Sequence, residues 1–290
     1  MDARPADAAR TSRVEPGRAV ERWPTTFVVD GARHELPEPL VVEEPLAIHL
    51  AAGEDGAASQ LAVTLRTPGH DTELVAGLLY AEGIVDRRDD LLALEPVAGA
   101  AVADGEARRF LARLRGDPAT ATATRPFLST SACGLCGRGA LDAAFATGFP
   151  ALPPGPRLPA ARLQALPERM RDAQPLFATT GALHAAALFD GGGELRVVRE
   201  DVGRHNAVDK VVGSMLLEDR LPAGESLLAV SGRVGFEVVQ KALRAGIPVL
   251  VAVGAPTALA VRLASRAGMT LAGFVRADRC NLYCGAERVL

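Results

Sequence analysis

Leu227-Leu228-Ala229-Val230-Ser231-Gly232-Arg233, then Val249-Leu250-Val251-Ala252-Val253-Gly254-Ala255-Pro256-Thr257, then Thr270-Leu271-Ala272-Gly273-Phe274-Val275 make up the stretch that decides the fold. Each begins with an apolar run of strand length, and two of them end in a short glycine-containing loop. Between them Phe236 to Ala245 and Ala258 to Ala267 carry helical spacing, closed by Gly246 and Gly268. A β-α-β-α-β run of this kind predicts parallel strands joined by right-handed crossovers. Both short loops then emerge at one carboxyl edge, where open α/β sheets bind ligands and aim helix N-termini at anions. Ser231-Gly232-Arg233 would offer free N–H groups, a hydroxyl and a guanidinium to a phosphate. The plain alternative is an ordinary turn with an exposed arginine. Gly254 to Thr257 is weaker alone and gains from sharing the edge.

Upstream, Leu183 to Phe189 reads as a strand, Asp190-Gly191-Gly192-Gly193 as a hairpin turn and Leu195 to Arg199 as the return strand. Val208, Val211, Val212, Met215 and Leu216 keep helical spacing, with Asn206 as a cap. Asp201, Arg204, His205, Asn206, Asp209 and Lys210 place six polar groups within ten residues, ahead of a buried helix face. Caps and salt bridges account for some of them; so dense a cluster beside core also suits a ligand. His184, inside an apolar strand, is either a satisfied core histidine or a site group.

Further back, Leu163 to Ala173 reads as a helix, Phe177 to Gly181 as its terminator and a turn, and Ala151 to Pro159 as a stiff linker. In the first half, Phe27 to Gly31 reads as a strand and turn. Leu40 to Leu50 reads as two strands divided at Pro45, and Leu61 to Arg66 as another strand. A helix carries Leu74, Val75, Leu78 and Leu79 on one face, and Gly83 stops it. Glu82, beside that glycine, could face a site. Residues 97 to 124 read as an edge strand or a mobile segment. The expected organisation is a disordered tail over 1–25, a smaller β-rich N-terminal subdomain over 26–150, a Pro-rich linker over 151–168 and an α/β domain over 169–290.

Two of the four cysteines sit in Ser129-Thr130-Ser131-Ala132-Cys133-Gly134-Leu135-Cys136-Gly137-Arg138-Gly139. Glycines leave the sulfurs uncovered, and Arg138 with a following helix start favours thiolate, the form that attacks sulfur or binds metal. Three readings stand side by side: reactive thiols, half of a zinc site completed by Cys280 and Cys284, or neither. The chain has 290 residues, 48% of them hydrophobic, and a net charge of −3, with pI about 6.0 and mean hydropathy +0.14. That composition supports a real core and gives no global basic field for nucleic acid or an anionic membrane. The N-terminal residues lack a secretory signal, the longest apolar stretch is too short to span a bilayer, and four cysteines do not make a disulfide scaffold. A cytoplasmic protein with reduced thiols is expected.

Thr130-Ser131-Ala132-Cys133-Gly134-Leu135-Cys136-Gly137, Gly181-Ala182-Leu183-His184, Glu200-Asp201-Val202-Gly203-Arg204-His205-Asn206-Ala207-Val208-Asp209-Lys210, and Ser231-Gly232-Arg233 with Gln240-Lys241-Ala242 occur in this order. Together they resemble the formate dehydrogenase accessory sulfurtransferases, the FdhD family, over roughly residues 26 to 290. The resemblance implies a sulfurtransferase that passes persulfide sulfur from a cysteine desulfurase to the bis-molybdopterin guanine dinucleotide cofactor, as formate dehydrogenase activity requires. It implies an α/β fold similar to cytidine deaminase, a mixed sheet with helices on both faces, and a homodimer. The deaminase zinc signature is absent, with Ala132 where its proline would stand, and no metal is expected. By position, Cys133 would form the persulfide and Cys136 would act as relay or second sulfur carrier. Cys280-Asn281-Leu282-Tyr283-Cys284-Gly285 matches the family's cofactor-binding stretch. Ser231, Gly232, Arg233, His184, Asp201, Arg204, His205 and Asn206 complete the expected cofactor set, for which a GDP-like nucleotide could stand in. Leu65 replaces a methionine that the family favours.

Two other readings compete with this one. A zinc-stabilised nucleotide-binding module would hold zinc and form no persulfide. A thioredoxin-like oxidoreductase fits the Cys-Gly-Leu-Cys spacing, but its motif belongs near the N-terminus.

Overall fold

The computed structural model describes residues 19–97, 107–117 and 152–290. The run that opened the sequence analysis forms three adjacent parallel strands: β9 (Ser226–Val230), β10 (Val249–Ala252) and β11 (Thr270–Arg276). β7 (His184–Asp190), β8 (Leu195–Asp201) and β12 (Arg279–Cys284) extend them into a six-stranded mixed sheet in the order β12-β11-β10-β9-β7-β8. β7 runs antiparallel to both β8 and β9, so β8 points the same way as β9, β10 and β11. The ends of β8, β9 and β10 and the start of β7 therefore meet at one edge.

Alternation along these strands divides two cores. Leu227, Ala229, Val249 and Val251 pack with Leu163, Leu166 and Met170 of helix α2 (Ala160–Asp172) on one face. Leu228, Val230, Leu250 and Ala252 pack on the other with α4 (Arg204–Leu217), α5 (Phe236–Arg244) and α6 (Ala258–Arg266). Helices thus cover both faces, as the period-2 pattern of a doubly buried sheet requires. A short helix, α3 (Pro175–Thr180), stands where the sequence suggested only a terminator and a turn, and it ends at Gly181 with φ 68°.

The first half builds a four-stranded sheet in the order β4-β3-β6-β5, from β3 (Glu44–Ala52), β4 (Ser59–Arg66), β5 (Leu91–Pro96) and β6 (Arg108–Leu114). Two expectations fail here. The strand break falls before Glu44 rather than at Pro45, which sits near the start of β3 where a missing N–H is tolerated. β6 is an interior strand, parallel to β3, with Phe110, Leu111, Ala112 and Leu114 buried; its arginines hid the pattern. The core that begins under this sheet runs without interruption into the six-stranded half.

Helix α1 (Asp71–Ala81) joins the two halves by crossing α4 at two glycines. A Cβ on Gly77 would stand 1.9 Å from the Asp209 carbonyl oxygen, and one on Gly213 would stand 1.8 Å from that of Glu73. Backbone lies on backbone there, which only glycine permits. Apart from both sheets, β1 (Val20–Val29) and β2 (Ala32–Val41) form a two-stranded antiparallel ribbon. It starts inside the expected tail and is longer than the strand read around Phe27.

Candidate functional site

The loops after β9 and β10 are joined to each other. Gly254 N donates to Gly232 O at 3.1 Å, Val234 N to Ala255 O at 3.1 Å and Thr257 N to Val234 O at 2.9 Å. Ser231 is tied to β7, its N donating to Ala185 O at 2.9 Å and its Oγ accepting from Ala185 N at 2.9 Å. Of the expected Ser231-Gly232-Arg233 cradle only the Ser231 N–H is spent within the protein; the Gly232 and Arg233 amides have no partner among the described residues. To these amides the edge adds side-chain charge.

Gly232 lies against His184 and Arg204: a Cβ there would be 3.3 Å from His184 Nδ1 and 3.8 Å from Arg204 Cδ. Among the described residues neither Arg204 nor Arg233 has a carboxylate within ion-pair distance. Burial, then the Arg204 and Arg233 charges, push the His184 pKa down against the pull of Asp201. A neutral imidazole thus stands between two unneutralised guanidiniums. Helices α4 and α5 also begin here, at Gly203 and Gly235, and neither has a side-chain cap, whereas Thr257 caps α6 through Ala260 N at 3.2 Å. Two helix dipoles and two arginines make this edge attractive to anions.

Beside it opens a pocket of about 350 Å³, with Met170, Gln174, Phe177, Leu183 and Val253 in its walls and His184 and Ser231 on the shared rim. Arg171 stacks over the Phe177 ring, 4.0 Å from its centroid, and also lines the pocket. Walls that mix apolar side chains with Arg171, Gln174, His184 and Ser231 suit a planar ring with polar edges. As site residues these α2 and α3 side chains were not legible in advance; their one signal is that Phe177 stands four residues before the Gly181-Ala182-Leu183-His184 motif.

Other expected site residues sit below the edge. Asp201 is fully buried and accepts from Thr67 N at 3.2 Å, Gly203 N at 2.8 Å and Asn206 Nδ2 at 3.0 Å, while Lys210 Nζ stands 2.7 Å away. Lys210 also donates to Thr67 O at 3.0 Å, and Asn206 Nδ2 to Leu65 O at 2.8 Å. Asn206 is not the cap of α4, since Gly203 holds that position. Its amide and Asp201 bind the end of β4 to the six-stranded half, and no lone pair of Asp201 faces the edge.

His205 borders the site, its Nε2 3.3 Å from Glu237 Oε2. That carboxylate favours a proton, but burial and then the Arg204, Lys241 and His184 charges outweigh it and lower the pKa to about 4. Beneath, Lys241 donates to Asp209 at 2.6 Å. Burial nevertheless raises Asp209 to about 6, with Glu82 and Glu237 adding to the rise. Glu82 is thus near enough to this charge cluster to act on it.

Cys133 and Cys136 lie outside the described residues. The stretch from Cys280 to Gly285 is edge strand β12 and its exit, an assignment the sequence did not suggest. Cys280 packs against the α2 side of the sheet and Cys284 against the opposite side. They cannot jointly complete a zinc site with another pair. Burial pushes the Cys284 thiol up, which suits an inert thiol. Among the described residues no group of three or more His, Cys, Asp or Glu could hold a metal. Cys284 pairs with Leu271, at the far end of β11 from the anion edge, and Gly285 follows it. Asn281 pairs with Gly273, and a Cβ on Gly273 would come within 3.0 Å of Tyr283 Cε2. Leu282 and Tyr283 are partly exposed on this strand. The structure therefore gathers His184, Arg204, Ser231, Gly232 and Arg233, places His205 beside them, buries Asp201 and Asn206 below, and carries Cys284 and Gly285 away. No helix among the described residues is long and apolar enough to cross a membrane.

Comparison with known proteins gives the family of the chain. A Streptomyces avermitilis protein named sulfur carrier protein FdhD is 46% identical over 94% of this chain and 96% of its own length. A protein of the same name from the archaeon Sulfurisphaera tokodaii is 40% identical over 86% and 90%. The crystal structure of a candidate formate dehydrogenase accessory protein from Desulfotalea psychrophila superposes with a TM-score of 0.71 at 27% identity, covering 94% of this chain and all of that one. The family model described as FdhD/NarQ matches residues 41–290, and the chain belongs to that family.

Proposed function

We propose that this protein is a sulfur carrier and transferase that serves formate dehydrogenase. In this reading the Cys133 thiolate attacks the outer sulfur of a cysteine desulfurase persulfide. The donor's S–S bond breaks, the donor leaves as thiolate and Cys133 holds the sulfur as Cys–S–S⁻. Cys136 relays or shares that sulfur. The substrate is the bis-molybdopterin guanine dinucleotide cofactor, to which the persulfide gives up its outer sulfur as Cys133 returns to thiolate.

The observation that carries the reading is the pair of guanidiniums, Arg204 and Arg233, that have no carboxylate within ion-pair distance among the described residues, beside His184 and next to a pocket that can take a planar ring. Arginine pairs of this kind hold diphosphates in fork geometry. A neutral His184 can accept a hydrogen bond without repelling a cation or attracting a second carboxylate. Names of relatives supply the sulfur-carrier and formate dehydrogenase parts of the reading. A cytidine-deaminase-like grouping, supported by the mixed sheet with helices on both faces, a homodimer and a cytoplasmic location belong to the same proposal.

Two measurements test it. GDP binding by calorimetry should weaken about 10-fold or more for Arg204→Ala and for Arg233→Ala, the loss expected for one charge-assisted contact. Intact mass after incubation with a cysteine desulfurase and cysteine should rise by sulfur increments in the wild type and not in Cys133→Ala. No sulfur gain in any variant would sink the reading.

A further inference from the structure

The last two residues of β8 each hold the start of a helix. Asp201 accepts from Gly203 N at the head of α4. Glu200, its neighbour, faces the other side of the sheet, as alternation along a strand requires. There it accepts from Leu176 N at 3.0 Å and from Phe177 N at 2.7 Å, at the head of α3. Phe177 and the Arg171 guanidinium stacked on it therefore stand in the pocket wall at a place that Glu200 sets.

Between α2 and α3 stands Gln174, only 3% exposed, which lines the same pocket. Its amide lies against Glu200. Burial raises the Glu200 pKa, and the Phe177 and Leu176 amides, a hydrogen bond from Gln174 and the Lys210 charge pull it back. A carboxylate that already holds two backbone N–H groups can take only another donor, so Gln174 turns its NH2 group to it. The network thereby fixes which way the amide is flipped, and Oε1 is the arm that remains. No donor among the described residues reaches that oxygen. A carbonyl held in so buried a side chain costs free energy until something supplies an N–H.

We infer that Gln174, held in one orientation by Glu200, selects the ring that enters the pocket by accepting from a base whose edge carries N–H groups. Guanine is such a base, with a ring N–H beside its exocyclic amino group. Adenine turns a lone pair and a C–H to the same place, and an acceptor there repels it. Gln174 is then the specificity-determining residue, and Glu200 is a positioning residue that acts through it. The diphosphate leaves the pocket across the rim formed by His184 and Ser231, towards Arg204 and Arg233. Affinity and selectivity are divided in this way: the arginines hold any diphosphate, and the Gln174 amide tells the bases apart. This inference deepens the proposed function and rests on its nucleotide site.

Calorimetry of the full chain with GDP, ADP and inorganic pyrophosphate tests it. The wild type should bind GDP at least about 10-fold more tightly than ADP, the ratio expected for one hydrogen bond made against one acceptor left unpaired. Gln174→Leu should bring GDP down to the affinity of ADP and leave pyrophosphate binding unchanged. Glu200→Gln, which can offer Gln174 an acceptor or a donor and so frees its amide to flip, should narrow the ratio of GDP to ADP affinity at the same pyrophosphate affinity. A residue that only held the fold would weaken GDP and ADP alike. A Gln174→Leu protein that keeps the wild-type preference overturns the inference and leaves the nucleotide site standing. So do equal losses of all three ligands in that variant, and so does a wild type that binds GDP and ADP equally. A wild type that binds neither GDP nor pyrophosphate overturns the inference and the nucleotide site together.

Discussion

Ten residues, Asp201 to Lys210, contribute to two regions with opposite physics. Asp201, Asn206 and Lys210 turn inward, where each polar atom meets a partner from Thr64, Leu65, Thr67, Glu200, Gly203 or one another. Arg204, one turn away, turns outward and pairs with no carboxylate among the described residues. The first region resembles a protein core built from charge; the second keeps charge unmatched at a surface. Saturation marks the joint that holds the halves together, and unmet charge marks the place where something else must bind. Composition is the same in both, so burial alone separates them.

The largest effect should come from the crossing that supports the inner region. Gly213→Ala would drive a methyl group into the Glu73 carbonyl, 1.8 Å from its oxygen, and prise α1 from α4. Chemical denaturation should show a loss of at least about 4 kcal/mol, or no folded protein at all. If the variant melted like the wild type, the backbone contact would be no constraint.

Asp201→Ala should come next. It leaves the Lys210 ammonium buried without its carboxylate, at a cost of about 3–5 kcal/mol. The outer arginine substitutions, by contrast, should alter GDP affinity with less than about 0.5 kcal/mol of stability. Equal destabilisation by Asp201→Ala and Arg233→Ala would erase the distinction between the regions.

The smallest effect lies on the boundary. His205 has a folded pKa of about 4, below its ordinary 6.5, so the unfolded chain binds more protons between those values and stability rises with pH there. Asp209, raised to about 6 from 3.8, acts in the opposite sense over much of the same window, because the folded state holds its proton longer. The two partly cancel. His205→Asn should remove the rising contribution, so urea midpoints taken from pH 4 to 6 should fall with pH more steeply than in the wild type. An unchanged slope would mean that His205 titrates as it does in the unfolded chain.

The alternating second half was legible because its strands are buried on both faces and its helices end at glycines; Leu227 to Val230 and Val249 to Ala252 carry little besides aliphatic side chains. β6 was not, because Arg108, Arg109 and Arg113 interrupt its apolar residues while Glu44 takes up Arg108 from a strand far away in sequence. β12 was hidden for a similar reason, as an exposed edge strand carries little periodic signal. In the site, the motif residues Ser231-Gly232-Arg233 and His184 were found where the strand order put them. That the Ser231 amide is taken up by Ala185 of β7 was not legible, since a bond to a distant strand leaves no trace in the spacing of the loop. Asn206 had the residue type of a cap and the tertiary job of a crosslink, which propensity cannot distinguish.

The α1–α4 crossing has a consequence for how the chain is made. Arg199 reaches back 126 residues to Glu73, and Gly213 lies further on still. A ribosome delivering the chain from its N-terminus releases Leu74, Val75, Leu78 and Leu79 long before α4 exists to cover them. Nor can β3 close on β6 until the intervening helix and strands have emerged. High contact order of this kind slows folding and leaves apolar surface open meanwhile. Newly made chains should therefore depend on holding chaperones until the second half has left the exit tunnel.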